Sequence, residues 1–243
     1  MLCHLGPAIT LQDLLLKPSH SLLEQSWAPR HQTHGIMNAD GFGVGWYDRT
    51  RRPEPAVYRS DQPMWNDRSF ASIAGMISSS AVLAAVRSAT PGLPVGIEGA
   101  HPFTAGRWLF AHNGAIEGWR DGIGEELRAL VSAPNAARIE VNTDSAVLFG
   151  LVLDRLHTGL EPNVALADVV QTVKECAGGR MNLMLTDGER VAATTFGASL
   201  FTRQTAGSVV VASEPFDDDR AWNQVPDVHT IAGDRNGVTT EAM

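Results

Sequence analysis

The sequence predicts an α+β fold with antiparallel sheet, and three observations predict it. Apolar runs of strand length occupy the chain up to His112 and return after Met181, while two long helical patterns lie between them. Turn chemistry separates the runs, as in Arg52-Pro53-Glu54-Pro55, Asp187-Gly188 and Ala206-Gly207. No internal repeat, low-complexity tract or hydrophilic linker marks a boundary, so residues 1–243 read as one domain.

The elements follow in order. Cys3 falls on a first strand. Gly41 to Tyr47 reads as a strand whose glycines allow close backbone approach, and Ala56 to Arg59 is placed to pair with it across the proline turn. Ser69 to Ser80 reads as a helix, and Ala81 to Arg87 as a buried strand. Trp108 to His112 is a further strand, predicted to end at Asn113-Gly114, a dipeptide that favours positive φ. Gly124 to Val131 is a helix. Ser145 to Leu156 is another, apolar almost all round, with Thr143 or Asp144 as its N-cap. Val164 to Cys176 is a second long helix. Four short strands then complete the pattern: Met181 to Leu185, Val191 to Phe196, Ser199 to Arg203 and Ser208 to Ala212.

Composition narrows the function. Hydrophobic residues make up 44% and charged residues 19%, an ordinary globular mix that excludes wholesale disorder. No apolar run approaches the roughly 18 residues of a membrane span, and the start lacks a basic segment before its apolar residues. A net charge of -8 with 19 Lys+Arg argues against a partner held by nucleic-acid phosphates. Two cysteines, Cys3 and Cys176, build neither a disulfide framework nor a Cys-rich zinc site. The expectation is a cytoplasmic protein acting on a small molecule, with no cofactor.

Four clusters of polar residues sit at predicted strand or helix ends. His31 and His34 precede Asn38-Ala39-Asp40-Gly41; a metal site there competes with the plainer reading of a loop satisfying its own backbone, and no metal is expected. Arg87 follows a buried strand and offers a five-donor fork to a carboxylate, or to an internal ion pair. Asn113 and Gly114 together supply two N–H donors for one oxygen, or form an ordinary turn. Asp144 opens the buried helix, where it either binds an ammonium or caps the helix. Taken together they meet the needs of a γ-glutamyl group undergoing acyl transfer.

The ordered blocks Asn38 to Gly43, Arg87-Ser88-Ala89-Thr90, His101-Pro102-Phe103, Ala111 to Gly114 and Thr143-Asp144-Ser145 resemble the class II (N-terminal nucleophile) glutamine amidotransferases. Ser26 to Gly35 and Ala212 to Asp219 are similar to the branch of that family made of γ-glutamyl amidohydrolases of ergothioneine biosynthesis. The resemblance implies a four-layer αββα sandwich of two antiparallel sheets. It implies hydrolysis of a γ-glutamyl-cysteinyl-hercynine sulfoxide type of amide through a cysteine thioester. Arg87 and Asp144 would hold the glutamyl carboxylate and ammonium, and Asn113 and Gly114 the oxyanion. Thr90 and His112 would complete the substrate-binding residues. For a trimethylammonium group, aromatic and acidic candidates are the six tryptophans and Asp217, Asp218 and Asp219.

The resemblance also implies a terminal cysteine whose own α-amine acts as base, and here the sequence departs from the pattern. Aligning on Met1 puts Leu2 at the nucleophile's place; aligning on Leu5-Gly6-Pro7, the preferred register, leaves the front about three residues short. The attacking thiol is then either upstream of Met1, or Cys3 after removal of Met1 and Leu2, or absent. Absence would leave a γ-glutamyl-binding protein without turnover. A third alternative is a glutaminase subunit feeding ammonia to a synthetase.

Overall fold

A computed structural model describes residues 1–90 and 92–243; Pro91, within the Arg87–Gly92 segment, lies outside them. The chain opens with β1 (Leu2–Thr10), α1 (Leu11–Leu15) and α2 (Leu22–Trp27), then β2 (Phe42–Trp46), β3 (Ala56–Ser60), α3 (Arg68–Ala74) and β4 (Ser78–Val86). Next come β5 (Phe103–Ala105), β6 (Trp108–Ile116), α4 (Ile123–Ala129), α5 (Ala133–Ala136), α6 (Asp144–His157) and α7 (Pro162–Lys174). The last strands are β7 (Gly179–Thr186), β8 (Arg190–Thr195), β9 (Phe201–Thr205), β10 (Ser208–Ala212), β11 (Trp222–Gln224), β12 (His229–Asp234) and β13 (Gly237–Ala242).

Two antiparallel sheets result. One has seven strands in the order β11-β9-β10-β1-β4-β2-β3, the other six in the order β13-β12-β8-β7-β6-β5. Both faces of each central strand are apolar, and alternation sorts them into layers. Cys3, Leu83 and Val211 of the first sheet pack between the sheets against Leu109, Ala111 and Met184 of the second. Leu2, Val82 and Val210, each one residue away, turn outward onto Leu11, Leu22 and Phe70 of α1, α2 and α3. Phe110, Leu183 and Leu185 turn outward onto α6 and α7. The layers run helix, sheet, sheet, helix, the αββα arrangement expected.

Of the helices, α6 is the best buried. Leu148, Leu151 and Val152 are fully enclosed, and each such side chain stabilises the fold by about 1.5–3 kcal/mol relative to exposure. Thr143 is the N-cap, its Oγ1 accepting from the Ala146 N–H at 3.3 Å. Asp144 is thereby relieved of capping.

Two sequence expectations need correction. The helix predicted over Ser69 to Ser80 stops at Ala74, and Ser78 already belongs to β4, because the Ser79 hydroxyl bonds the Tyr47 and Ala81 carbonyls and holds the start of the strand. Strand β6 does not end at Asn113-Gly114. It runs on to Ile116, with Asn113 opposite Asn182 and Gly114 opposite Met181. The glycine serves close approach there, since a Cβ on Gly114 would fall on the Arg180 carbonyl oxygen. Gly45 of β2 plays the same part between the sheets, where a Cβ would sit 2.6 Å from Leu109.

Candidate active site

A cleft of about 350 Å³ opens at one end of the sandwich, and Met1, Arg87, Thr90, His112, Asn113, Gly114 and Asp144 all line it. Six of the seven site residues singled out from the sequence are therefore gathered at one place. Their convergence follows from topology, because β4 and β6 run out toward this rim while β1 and α6 begin there.

Arg87 extends β4. Its N–H donates to the Gly41 carbonyl at 2.9 Å, and its own carbonyl accepts from Asp40 N–H at 3.0 Å. The side chain is buried; Nη2 donates to the Pro94 carbonyl at 2.8 Å, while Nη1 has no partner among the described residues. Burial lowers the guanidinium pKa and the nearby carboxylates of Asp40 and Asp144 raise it. A buried donor without an acceptor costs about 1–3 kcal/mol, and an anion entering the cleft removes that cost.

Asp144 is also buried. Its Oδ1 accepts from Ser145 N–H at 2.7 Å and its Oδ2 from Ile116 N–H at 3.2 Å, which fixes the carboxylate at the start of α6. His112 bridges strand and helix. Its Nε2 faces the Arg180 carbonyl at 3.1 Å, an acceptor only, so Nε2 carries the proton and Nδ1 accepts from the Ser145 hydroxyl at 2.9 Å. His112 thus acts on the site by holding β6, β7 and α6 in register.

Asn113 is exposed to the cleft, and its Nδ2 donates to Ser213 Oγ at 3.3 Å. The same hydroxyl lies 3.4 Å from the Met1 nitrogen. Burial brings the Met1 α-amine down to about 6, against the opposing pull of Glu214.

Cys3 is not gathered with the rest. It lies in the core between the sheets, on the same face of β1 as Met1 but two residues along, about 7 Å deeper at the strand's rise. Burial pushes its thiol up to about 12, with Thr186 pulling the other way and Asp187 adding to the rise. That position holds no thiolate near neutral pH. Leu2 points into the outer helical layer, so the alignment that makes it the nucleophile's equivalent fails on strand parity.

The loop from Pro29 to Asn38 forms one wall of the cleft. Glu214 fastens it: Oε2 accepts from Arg30 N–H at 2.7 Å and meets His20 Nε2 at 2.8 Å, and Oε1 accepts from His31 N–H at 2.9 Å. Burial would raise the Glu214 carboxyl, but the bonds from His20, Arg30 and His31 outweigh it and leave it lowered. Asp40 accepts from Ala89 N–H at 2.8 Å, and no cluster of His, Cys, Asp and Glu fit for a metal occurs among the described residues. The tryptophans do not line the cleft, and Asp217 is taken up by Arg203 and the Trp222 indole N–H. Several polar cleft residues were given no role by the sequence reading, Arg180, His101 and Ser213 among them. Arg180 follows Gly178-Gly179 at a strand start and could have been found by the reasoning applied to Arg87; His101 and Ser213 carried no signal beyond their motifs.

Among the described residues no helix is long and apolar enough to cross a membrane. A family model for class II glutamine amidotransferases matches residues 13–205. The gamma-glutamyl-hercynylcysteine sulfoxide hydrolase of Mycobacterium tuberculosis is 41% identical over 240 residues, 98% of this chain and 94% of that protein. A solved class-II glutamine aminotransferase domain protein from Silicibacter pomeroyi matches with a TM-score of 0.72 at 24% identity, covering 99% of this chain and 97% of that one. The glutamine phosphoribosylpyrophosphate amidotransferase of Bacillus subtilis matches at 0.69 and 14%, covering 99% and 48%. At such identities the solved structures speak for the fold, and the sequence matches speak for the family. The chain belongs to the class II glutamine amidotransferases.

Proposed function

We propose that this enzyme hydrolyses the γ-glutamyl amide bond of a γ-glutamyl-hercynylcysteine sulfoxide substrate in ergothioneine biosynthesis, releasing glutamate. One observation carries the reading: a buried cation with a free donor, a buried carboxylate and a pair of N–H donors line a single cleft. Arg87 takes the glutamyl α-carboxylate and Asp144 the α-ammonium, which leaves the γ-carbonyl oxygen to Asn113 Nδ2 and Gly114 N–H. The relative of nearly equal length in Mycobacterium tuberculosis bears the name of this activity.

The chemistry requires a thiol at the cleft end of β1, where Met1 lies. An α-amine there takes the thiol proton, and sulfur bonds to the γ-carbonyl carbon. The oxyanion forms against Asn113 and Gly114. Its collapse breaks the C–N bond, and the amine departs with the proton. Water then adds to the thioester, the C–S bond breaks, and glutamate leaves. Cys3 in its present place does not serve, because its sulfur is buried between the sheets. The proposal treats residues 1–243 as one domain acting in the cytoplasm on a small molecule. A net charge of -8 supports the absence of nucleic acid.

The test is glutamate release from γ-glutamyl-hercynylcysteine sulfoxide, compared with binding of the same compound to Arg87→Met. The expected result is a loss of affinity of at least tenfold in the folded variant. Unchanged binding would remove Arg87 as the carboxylate's partner and the reading with it.

A further inference from the structure

We infer that Arg180 is a specificity-determining residue, which binds the α-carboxylate of the amino acid on the departing side of the scissile amide. The inference rests on the γ-glutamyl reading above and extends it to the other half of the substrate.

Two arginines line the cleft, Arg87 and Arg180. Arg87 is committed to the glutamyl half. Arg180 has no acidic partner among the described residues, whereas Arg49, Arg155, Arg190 and Arg203 are each paired with an acid. The backbone places it beside the chemistry. Arg180 is opposite Ala115 in the β6–β7 ladder, and its carbonyl accepts from His112 Nε2.

Asn113 pairs with Asn182, so Arg180, two residues before Asn182, is Asn113's diagonal neighbour on the same face. That relation sets their Cα atoms about 7–8 Å apart. Gly197, at φ +81, leaves room for the arginine stem, since a Cβ there would come within 2.9 Å of Arg180 Cγ.

Substrate chemistry supplies the matching group. When the departing amine belongs to an amino acid, its α-carboxylate is three bonds from the carbonyl carbon held at Asn113 and Gly114. Glutamine, whose leaving group is ammonia, has nothing at that place. A planar guanidinium in the cleft that Asn113 and Gly114 also line therefore favours γ-glutamyl amino acids and peptides over glutamine, and its fork matches a carboxylate in two-point contact.

The experiment uses two compounds that differ only in that carboxylate, γ-glutamylglycine and γ-glutamylmethylamide. Their ratio of kcat/KM, or of Kd if neither is turned over, is measured on the full chain, Arg180→Met and Arg180→Lys. Thermal unfolding of each variant verifies that it is folded. The expected result is a wild-type preference for γ-glutamylglycine that falls tenfold or more in Arg180→Met and recovers in part in Arg180→Lys. A preference retained in folded Arg180→Met overturns the inference and leaves the γ-glutamyl reading standing. Failure of the wild type to bind either compound overturns both.

Discussion

His112 Nδ1 and Ser145 Oγ meet at 2.9 Å, joining β6, the strand that carries Asn113 and Gly114, to the first turn of the helix that opens with Asp144. Both residues are buried. Ser145→Ala leaves His112 Nδ1 without a donor in a dry place, at a cost of about 1–3 kcal/mol. The expected outcome is a lowered midpoint in denaturant at unchanged slope, together with a raised KM as the first turn of α6 loses its tie to β6. A variant as stable as the parent would show that the contact contributes nothing.

On the proposed reading, Asn113→Ala removes one oxyanion donor while sparing Arg87 and Asp144. In comparable sites such a loss lowers kcat by about 10²–10³. The expected signature is that fall with KM little altered, read from initial rates of glutamate release. A fall in affinity instead would assign Asn113 to ground-state binding.

Gly114→Ala tests the close approach of β6 and β7. The added methyl would strike the Arg180 carbonyl oxygen, and backbone in the middle of a ladder has little room to retreat. A loss beyond about 3 kcal/mol is expected, with faster hydrogen exchange along Phe110 to Ile116. A small effect would mean that the strands part locally and the ladder is looser than it looks.

His101 governs one part of the pH response. It is buried, its Nε2 has no partner among the described residues, and its pKa lies well below 6.5, first from burial and then from His112 and Arg87. The unfolded chain takes up a proton at this ring below about pH 6.5 and the folded protein does not. Stability is therefore fully present above 6.5 and falls as pH drops through it, by about 1.4 kcal/mol per pH unit for one proton. Denaturant titrations from pH 7.5 to 5.5 should show a shallower slope in His101→Gln. Equal slopes would mean that His101 titrates alike in both states.

Much of this architecture was legible before any coordinates. Alternating runs such as Val82-Leu83-Ala84 are apolar on both faces, which already requires cover on each side. Arg87 stands at the end of a strand and Asp144 at the start of a helix, as the cleft demands. What stayed hidden has physical causes. Asn113-Gly114 looks like a turn because its positive-φ preference is local, while its place in the ladder is fixed by β7, about seventy residues away. Strand β13 is largely exposed, with Thr239 and Thr240 among its polar residues, and leaves no hydrophobic pattern to read. The separation of Cys3 from the cleft depends on how far β1 extends toward the rim, and alternation gives parity without depth.

The most direct measurement is the intact mass of the protein, purified from its native source and quenched in acid during turnover of γ-glutamyl-hercynylcysteine sulfoxide. The account requires a γ-glutamyl adduct on the N-terminal peptide, carried by a cysteine at the cleft end of β1 and lost as glutamate accumulates. An N-terminal peptide that never gains the adduct, with no glutamate released, would contradict it and leave a cleft that binds γ-glutamyl compounds without cutting them.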